Sequence, residues 1–467
     1  MLNHYQFMVP RLNGQEIRSR FSYYRSLVRR GIAGFIIFGG DLETVREYVR
    51  RLQKESELPL IISSDLERGL GQQLSGGTDF PPPMAIASAL RNGTGLNEIR
   101  RSFRAVAEEA AYAGINAVYA PVLDINTNPK NPIIAVRAFG EDERIVSLLG
   151  VEMIRSLQKK GIAACGKHFP GHGDTAVDSH IKLPVLDHSL KRLKQCELRP
   201  FAHAVKAGVR MIMLGHLSVP ALDPSGTPVS FSKEAVRFLR KDMGYKGILV
   251  TDALNMSGIG RYSEEEASLM ALEAGVDILL HPSDPEKVSD FLRSRGVSAD
   301  PSGLHEFRKS LIPAPQAEAP HFKENCQFSM KLTKASIRLP HRIRKGSPIL
   351  VILDDEKDDK CLAFENAMKN NFPGIKTFVL RPGERSPGLS GIKDRALLVA
   401  VFSETRAWKG GASSWLTRKL SFYADRADLF ISFGSPYLLD RVRTKKMFVY
   451  WNNEMAQIAA AEAIRDL

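Results

Sequence analysis

The feature that most constrains the fold is an alternation of short apolar runs with longer amphipathic runs, which begins near residue 31. The short runs are rich in β-branched and apolar residues, and they cover 31–39, 59–65, 115–124, 161–169, 209–217, 247–253 and 276–281. The longer runs between them, such as 96–114 and 142–161, end in glycine, a common helix stop. Strands that are apolar along their whole length are typical of parallel sheets covered on both faces. With an eighth unit expected near the N-terminus, the pattern predicts an α/β fold built on a (β/α)8 TIM-type barrel.

The alternation breaks over residues 313–345 and then resumes on a smaller scale. The break is rich in Pro and Ala at its start and basic further on, which predicts a linker. Over 346–467, five short apolar runs alternate with helical runs and predict a small three-layer α/β sandwich domain. The catalytic barrel is therefore assigned to 1–312. No phosphate-binding GxGxxG pattern opens a helix of the small domain, so no nucleotide cofactor is expected.

Charge and cysteine content argue against several other classes of protein. The formal net charge of +13 arises from Lys and Arg scattered among Glu and Asp, without the interleaved aromatic residues of a nucleic-acid site. The four cysteines form no CxxC pair, so neither a zinc site nor a disulfide framework is expected. The N-terminus has no signal-peptide core, and no apolar run is long enough to span a membrane. We expect a cytoplasmic protein, or an exported one if a signal peptide has been removed, without stable membrane insertion.

Polar and charged residues follow the carboxyl ends of the apolar runs one after another. The set is Asp65 with Glu67, Asp124, Lys167 with His168, His216, and Asp252. In a TIM-type barrel the catalytic groups stand on the loops after the carboxyl ends of the strands. The repeated placement therefore predicts one polar pocket at the mouth of the barrel. Asp124 and Asp277 are expected to organise turns at strand ends, and His216 fits a core role or a pocket role equally well.

One loop, GKHFPGHGDTAVDSH over 166–180, gathers three histidines and two aspartates. His168 and His172 have the four-residue spacing of metal ligands on a helix, but the glycines and the proline of the loop argue against a helix. We therefore expect no metal here. His172 and Asp174 are predicted to brace the loop through hydrogen bonds.

A third kind of chemistry for this loop is proton transfer. Asp178 lies two residues before His180, so its carboxylate can hold the imidazole in one tautomer and stabilise the imidazolium. Asp252, at the end of another strand, supplies a separate carboxylate. A retaining glycosidase needs one carboxylate as nucleophile and a separate proton donor, normally about 5–5.5 Å apart. The absence of a G-x-S-x-G elbow argues against a serine hydrolase.

In these motifs the chain resembles the family 3 glycoside hydrolases, specifically the bacterial β-N-acetylglucosaminidases of peptidoglycan recycling. The matching segments occur in the family's order: DLERG (65–69), TDFPPPMAIASA (78–89), PVLDINTNPKNPIIAVRAFGED (121–142), KHFPGHGDTAVDSH (167–180), GHLSVPALD (215–223), VTDALNM (250–256) and AGVDILL (274–280). The small C-terminal domain, including FGSPY at 433–437, looks like the family's αβα sandwich.

The resemblance implies roles for individual residues. Asp252 would be the nucleophile that forms a glycosyl-enzyme, and His180 would be the acid/base with Asp178 as its partner. The residues that would bind the sugar or line its pocket are Asp65, Arg137, Lys167, His168 and Met256. Gln73 departs from the family pattern, which commonly has an arginine that reaches the sugar at this position. A neutral amide there would weaken sugar binding or change its preference.

The expected function is a retaining exo-acting β-N-acetylglucosaminidase that hydrolyses terminal GlcNAc from peptidoglycan-derived fragments, without cofactor or metal. Its partner would be a small carbohydrate, either a GlcNAc-containing muropeptide or a chitooligosaccharide, and not a nucleic acid. One alternative is a phosphorylase of the same family acting on β-N-acetylglucosaminides or β-glucosides, because a neutral histidine repels phosphate less than a carboxylate does. The other is a non-catalytic cell-wall-binding barrel, which Gln73 favours mildly.

Overall fold

The computed structural model of the chain describes residues 3–179, 181–311, 318–338, 347–356, 360–388, 395–404 and 412–466. The chain divides into two compact units. The first, called the barrel unit below, comprises Met1–Asp79, Arg100–Asn128 and Glu141–Asn325. The second, called the sandwich unit, comprises Phe80–Ile99, Pro129–Gly140 and Cys326–Leu467.

The strands of the barrel unit form a closed ring of parallel pairs. They are β1 (Met8–Val9), β2 (Arg11–Asn13), β3 (Gly34–Phe38), β4 (Ile61–Ser64), β5 (Ala117–Val118), β6 (Ala163–Phe169), β7 (Met211–Leu214), β8 (Ile248–Thr251) and β9 (Leu279–Leu280). Strands β2 to β8 pair in chain order, and β1 pairs with β9. A bridge between Val250 and Ile278 joins β8 to the segment that enters β9. Because β1 and β2 are consecutive in the chain, these pairings close the ring, and the predicted TIM-type barrel is confirmed.

The barrel position near the N-terminus is filled by β1 and β2, which Pro10 separates. Proline has no backbone N–H and cannot donate to a neighbouring strand, so regular pairing is interrupted there. Its carbonyl still accepts a hydrogen bond from the Ile36 amide at 3.0 Å. The carbonyl of Val9 accepts from the His281 amide at 2.9 Å, which ties the first barrel position to the last.

The barrel strands are buried along nearly their whole length, including all seven residues of β6. Helices on the outside and side chains in the interior cover both faces, which explains the continuous apolar runs of the sequence. The helices up to residue 336 are α1 (Phe21–Arg29), α2 (Leu42–Glu55), α3 (Pro83–Arg91), α4 (Leu96–Ala113), α5 (Glu143–Lys159), α6 (Leu190–Gln195), α7 (Leu198–Lys206), α8 (Lys233–Arg237), α9 (Glu264–Ala274), α10 (Pro285–Ser294), α11 (Ser302–Lys309) and α12 (Phe322–Ser336).

Helix α9 shows why the helix boundaries fall where they do. Ser263 and Glu266 form a capping box at its start, and Gly275 ends it in the left-handed conformation.

The sandwich unit contains a five-stranded parallel sheet with helices on both faces. Its strands are β10 (Ile349–Asp354), β11 (Lys376–Leu380), β12 (Leu397–Ser403), β13 (Leu429–Gly434) and β14 (Lys445–Phe448), in the order β11-β10-β12-β13-β14. Its later helices are α13 (Leu362–Asn371), α14 (Ser414–Tyr423) and α15 (Glu454–Arg465). One apolar cluster packs α13 and α15 on one face of the sheet, and a second packs α14 on the other face. This is the three-layer arrangement that the sequence predicts.

The segment predicted as a linker, 313–345, contains helix α12. Its buried positions include Phe328, Ser329, Leu332, Thr333 and Ser336, which recur at helical spacing. Three of these five side chains are hydroxyls, so the buried face does not stand out as an apolar pattern. The hydroxyl of Thr333 donates to the Ser329 carbonyl one turn earlier, at 2.9 Å. Residues 312–317 and 339–346 lie outside the described residues, and the boundaries at 312 and 346 stay a prediction.

Across the part of the chain that the structure describes, no helix combines the length and the apolar character needed to cross a membrane.

Candidate active site

Lys167 and Asp65 come together at the mouth of the barrel, as the strand-end pattern predicts. The Lys167 ammonium lies 2.5 Å from the Asp65 carboxylate and 2.8 Å from that of Glu67. Asp65 and Glu67 follow β4, and Lys167 belongs to β6, two positions further around the sheet. The Lys167 side chain is only 2% exposed, so its charge needs these carboxylate partners. Asp65 is one-quarter exposed, and its carboxylate therefore remains accessible to a ligand.

His168 is held by Asp124, which is completely buried at the end of the preceding barrel position. The Asp124 carboxylate lies 2.7 Å from His168 Nδ1 and also accepts the backbone amide of His172 at 2.6 Å. Burial alone would raise the pKa of Asp124, but the adjacent His168 and His172 outweigh it and hold the pKa below its usual range. Asp124 thus organises the turn, as expected, and in addition fixes the ring of His168.

The loop after β6 is braced internally. His172 is buried, and its Nδ1 lies 2.7 Å from the Thr175 hydroxyl. Burial lowers the pKa of His172 to about 4, so the imidazole is neutral at physiological pH. Asp174 pairs with His188 Nε2 at 2.5 Å. A side chain at Gly173 would collide with the Ile125 carbonyl, so only glycine fits there. These contacts agree with the bracing role predicted for His172 and Asp174.

Asp252 stands directly after β8 and is largely buried. Its backbone amide donates to the Leu214 carbonyl of β7 at 2.9 Å, and its carboxylate accepts the Ala253 amide at 2.8 Å. His216 supports the same turn, because its Nε2 donates to the Ala253 carbonyl at 3.0 Å while its Nδ1 lies 2.6 Å from the Ser230 hydroxyl. His216 therefore supports the loop that carries Asp252. Met256 follows on this loop and is buried.

The remaining residues that the sequence analysis names are Asp178, His180, Arg137 and Gln73. Asp178 is buried, and its backbone carbonyl accepts the amides of Ile181 and Lys182 at 2.9 and 3.1 Å. His180 lies outside the described residues, so the Asp178–His180 dyad stays a prediction. Arg137 belongs to the sandwich unit, where its guanidinium donates to the Ile133 carbonyl at 3.1 Å, and its contact with the sugar also stays a prediction. Gln73 donates to the Asp65 backbone carbonyl at 3.4 Å, which is a long contact.

Sequence reasoning did not identify two site features of the barrel unit. Glu67 is the second carboxylate on Lys167; the sequence places it at a strand end of the predicted pocket but gives it no role there. His281, at the end of the last barrel position, lies 2.8 Å from the Asn255 side chain on the Asp252 loop. The only sequence signal for His281 is that it closes the apolar run VDILLH.

Among the described residues, one group has the composition and spacing to hold a metal ion. Ligand atoms of Asp174, His188 and Glu197 all lie within 4.8 Å of one another. Arg192, however, lies 3.1 Å from the buried Glu197 carboxylate and already supplies a positive charge. A bound cation would be repelled by the nearby Arg192 guanidinium, so we assign no metal to this group.

Comparison with known proteins identifies the family. The family model for the glycosyl hydrolase family 3 N terminal domain matches residues 9–298, which contain strands β2 to β9 and the strand-end residues described above. The chain belongs to glycosyl hydrolase family 3. The resemblance inferred from the motifs is thereby confirmed.

Two curated proteins similar to this chain are named beta-hexosaminidase. Beta-hexosaminidase A from Pseudoalteromonas piscicida is 30% identical over 364 residues, which are 72% of this chain and 61% of that protein. The chain thus spans less than two-thirds of the length of that relative. A beta-hexosaminidase from Methylobacillus flagellatus is 30% identical over 274 residues, 56% of this chain and 76% of that protein.

Two solved structures are similar to this chain over almost its whole length. A family 3 beta-N-acetylglucosaminidase from a Paenibacillus species superposes with a TM-score of 0.80 at 26% identity, covering 99% of this chain and 96% of that one. The beta-glucoside phosphorylase BglX superposes with a TM-score of 0.82 at 22% identity, covering 99% and 91%. At 22% identity, the similarity to BglX is evidence of a shared fold only.

The contact between Asp124 and His168 yields a testable prediction. Because His168 is predicted to bind the sugar, we expect Asp124→Asn to lower kcat/KM by about 100-fold, mostly through KM, since a misplaced binding group loses the alignment that a site requires. The measurement is steady-state hydrolysis of an aryl β-N-acetylglucosaminide. Asp277→Asn is the control, because Asp277 is a partly buried carboxylate that accepts from Leu249 and Arg240 at the amino end of the barrel. It should lower stability without the change in KM; a KM unchanged by Asp124→Asn would contradict the assignment.

Proposed function

We propose that the chain is a retaining exo-acting β-N-acetylglucosaminidase that releases terminal GlcNAc from peptidoglycan-derived fragments. The observation that carries the proposal is the placement of Asp252 at a strand end of the same barrel mouth that holds the Lys167–Asp65–Glu67 cluster and His168. Family membership and the names of the curated relatives support a glycoside hydrolase acting on GlcNAc.

The proposed sugar site uses the fixed polar groups around Lys167. Ammonium donors and carboxylate acceptors side by side match a sugar hydroxyl, which both donates and accepts. Asp65 and Lys167 are held by each other, and His168 is held by Asp124. Because these side chains are already ordered, sugar binding loses little conformational entropy in fixing them. Arg137 and Met256 complete the proposed set of sugar contacts.

In the first chemical step, the Asp252 carboxylate attacks the anomeric carbon as the bond to the leaving oxygen breaks. His180, as imidazolium, donates its proton to that oxygen, and the Asp178 carboxylate stabilises the imidazolium. In the second step, the neutral His180 takes a proton from water, and the resulting oxygen attacks the anomeric carbon and releases Asp252. Two displacements at one carbon restore the original configuration, so GlcNAc leaves as the β-anomer.

A panel of aryl glycosides tests the proposed activity. We expect turnover of aryl β-N-acetylglucosaminide well above that of aryl β-glucoside and β-xyloside. We also expect no GlcNAc 1-phosphate in phosphate buffer. Preference for the glucoside would overturn the glycone assignment, and formation of a sugar 1-phosphate would establish the phosphorylase alternative. Absence of turnover on every substrate would favour the non-catalytic barrel.

A further inference from the structure

The loop that contains Asp178 is closed by a side-chain contact between its two ends. His188 Nε2 donates a hydrogen bond to the Asp174 carboxylate at 2.5 Å, across 14 positions of the chain. Both side chains are less than one-third exposed, so solvent screens the contact only in part. The contact encloses the segment 175–187, which carries Asp178. Neither the motifs nor the proposed mechanism gives His188 a role.

Each end of the loop is also tied to the barrel through the backbone. The Asp174 carbonyl accepts a hydrogen bond from the Asn128 side chain at 3.2 Å. Near the other end, the Ser218 amide donates to the Pro184 carbonyl at 2.9 Å, and Ser218 follows β7. The contact between Asp174 and His188 therefore links two stretches of backbone that are themselves anchored.

Apolar burial contributes little to holding the enclosed segment in place. Val177, Ile181 and Val185 are 38%, 52% and 57% exposed, whereas the neighbouring Asp178 and Ser179 are buried. A segment with exposed apolar side chains gains little free energy from burial, so polar contacts determine where it lies. The position of Asp178 therefore depends largely on the contacts that close the loop.

The enclosed segment lies directly on the loop that carries Asp252. A Cβ atom added at Gly258 would lie only 2.6 Å from the Ser179 carbonyl oxygen, so the two backbones are in contact at this point. Ser179 follows Asp178 in the chain, and Gly258 belongs to the segment after Asp252. A shift of the enclosed segment therefore changes the position of Asp178 relative to the proposed nucleophile.

The imidazole of His188 belongs to a cluster that also contains two carboxylates and a guanidinium. Ligand atoms of Asp174, His188 and Glu197 lie within 4.8 Å of one another, and Glu197 is buried. Arg192 lies 3.1 Å from Glu197 and offsets its charge. The Asp174 carboxylate has His188 as its hydrogen-bond donor. Without that donor, repulsion between the two carboxylates would favour movement of Asp174 away from the cluster.

We propose that His188 is a positioning residue for the proton transfer: by holding Asp174, it fixes the loop so that Asp178 lies correctly beside the acid/base. The inference rests on the proposed function and adds a residue that acts through the loop, not on the sugar. The contact between Asp174 and His188 should therefore affect the rate as the dyad does, by assisting the departure of a poor leaving group.

The test is His188→Ala, measured with two substrates. We expect kcat/KM for a GlcNAc disaccharide to fall by about 10- to 100-fold, because a misplacement of about 1 Å can cost roughly 10²-fold. The value for an activated aryl β-N-acetylglucosaminide should stay within about threefold, since its leaving group needs little proton assistance. His188→Gln should restore the disaccharide rate to within about threefold of the unaltered protein, because its amide N–H can donate to Asp174.

Removing the other partner of the contact gives an independent measurement. Asp174→Ala should reproduce the selective loss on the disaccharide. The double variant Asp174→Ala/His188→Ala should lose no more than either single variant, since all three remove the same contact. Thermal unfolding of each variant shows that the protein is folded at the assay temperature.

His203→Ala is the matched control, because His203 is an exposed histidine on helix α7 whose Nδ1 lies 3.0 Å from the Arg199 carbonyl. It should leave both rates within about twofold. Equal slowing of both substrates by His188→Ala, an unchanged disaccharide rate, or additive losses in the double variant would overturn the inference and leave the glycosidase intact. Absence of turnover of both substrates by the unaltered protein would instead overturn the proposed function, and the inference with it.

Discussion

Replacing Asp252 with asparagine should lower turnover by at least about 10⁴-fold, the largest effect we expect from any single substitution in this chain. The change removes the negative charge that we propose attacks the anomeric carbon, but it keeps the size of the side chain. The asparagine would still accept the Ala253 amide through its carbonyl oxygen, so the turn after β8 should survive. The measurement is kcat for an activated aryl β-N-acetylglucosaminide, together with a thermal unfolding curve.

Asp290→Asn provides the matched control for this substitution. Asp290 is an exposed carboxylate on helix α10 that pairs with Arg293 at 3.2 Å. Its loss should leave turnover within about twofold, as is usual for surface changes away from a site. Near-normal turnover of Asp252→Asn, with the fold intact and no conversion of the asparagine back to aspartate, would remove Asp252 from the mechanism.

The second large effect is expected for Asp178→Asn, and it should depend on the leaving group. In the proposed mechanism, removing this carboxylate deprives His180 of the partner that orients it and stabilises its cation. General acid catalysis contributes about 10²- to 10⁴-fold when the leaving group is a poor one. We therefore expect kcat/KM for a GlcNAc disaccharide to fall by about that factor, while kcat/KM for an activated aryl glycoside stays within a few-fold.

The contrast between the two substrates is what separates a proton-transfer role from a structural one. A general loss of loop structure would slow both substrates to the same degree. Asp187→Asn is the control, because Asp187 is an exposed carboxylate on the segment that follows the same loop. Equal slowing of both substrates by Asp178→Asn would contradict the dyad.

The parts of the fold that could be predicted are the repeated strand–helix units of the barrel. Each apolar barrel strand is followed by an amphipathic helix, so the period is visible in one sequence. The first barrel position was not located because Pro10 divides it into fragments of two and three residues. Helix α12 was missed because buried hydroxyls, such as those of Ser329 and Thr333, make its inner face polar in composition.

The site was predictable where a strand end determines the position of a residue. Asp65 and Lys167 were expected in one pocket, and their side chains lie 2.5 Å apart. Sequence did not indicate that Asp124 would orient the His168 ring, because that contact joins side chains 44 positions apart. The position of His281 was not predictable either, since it depends on a left-handed backbone and on a contact with Asn255, neither of which leaves a sequence pattern.

The central claim is a covalent glycosyl-enzyme on Asp252, and trapping that species tests it most directly. A fluorinated N-acetylglucosaminyl fluoride, which slows both steps but keeps a good leaving group, should accumulate the intermediate. Mass spectrometry of the quenched and digested protein should then find one added sugar, attached to Asp252. A label on another residue, or an unmodified protein while the reagent is being turned over, would contradict the account.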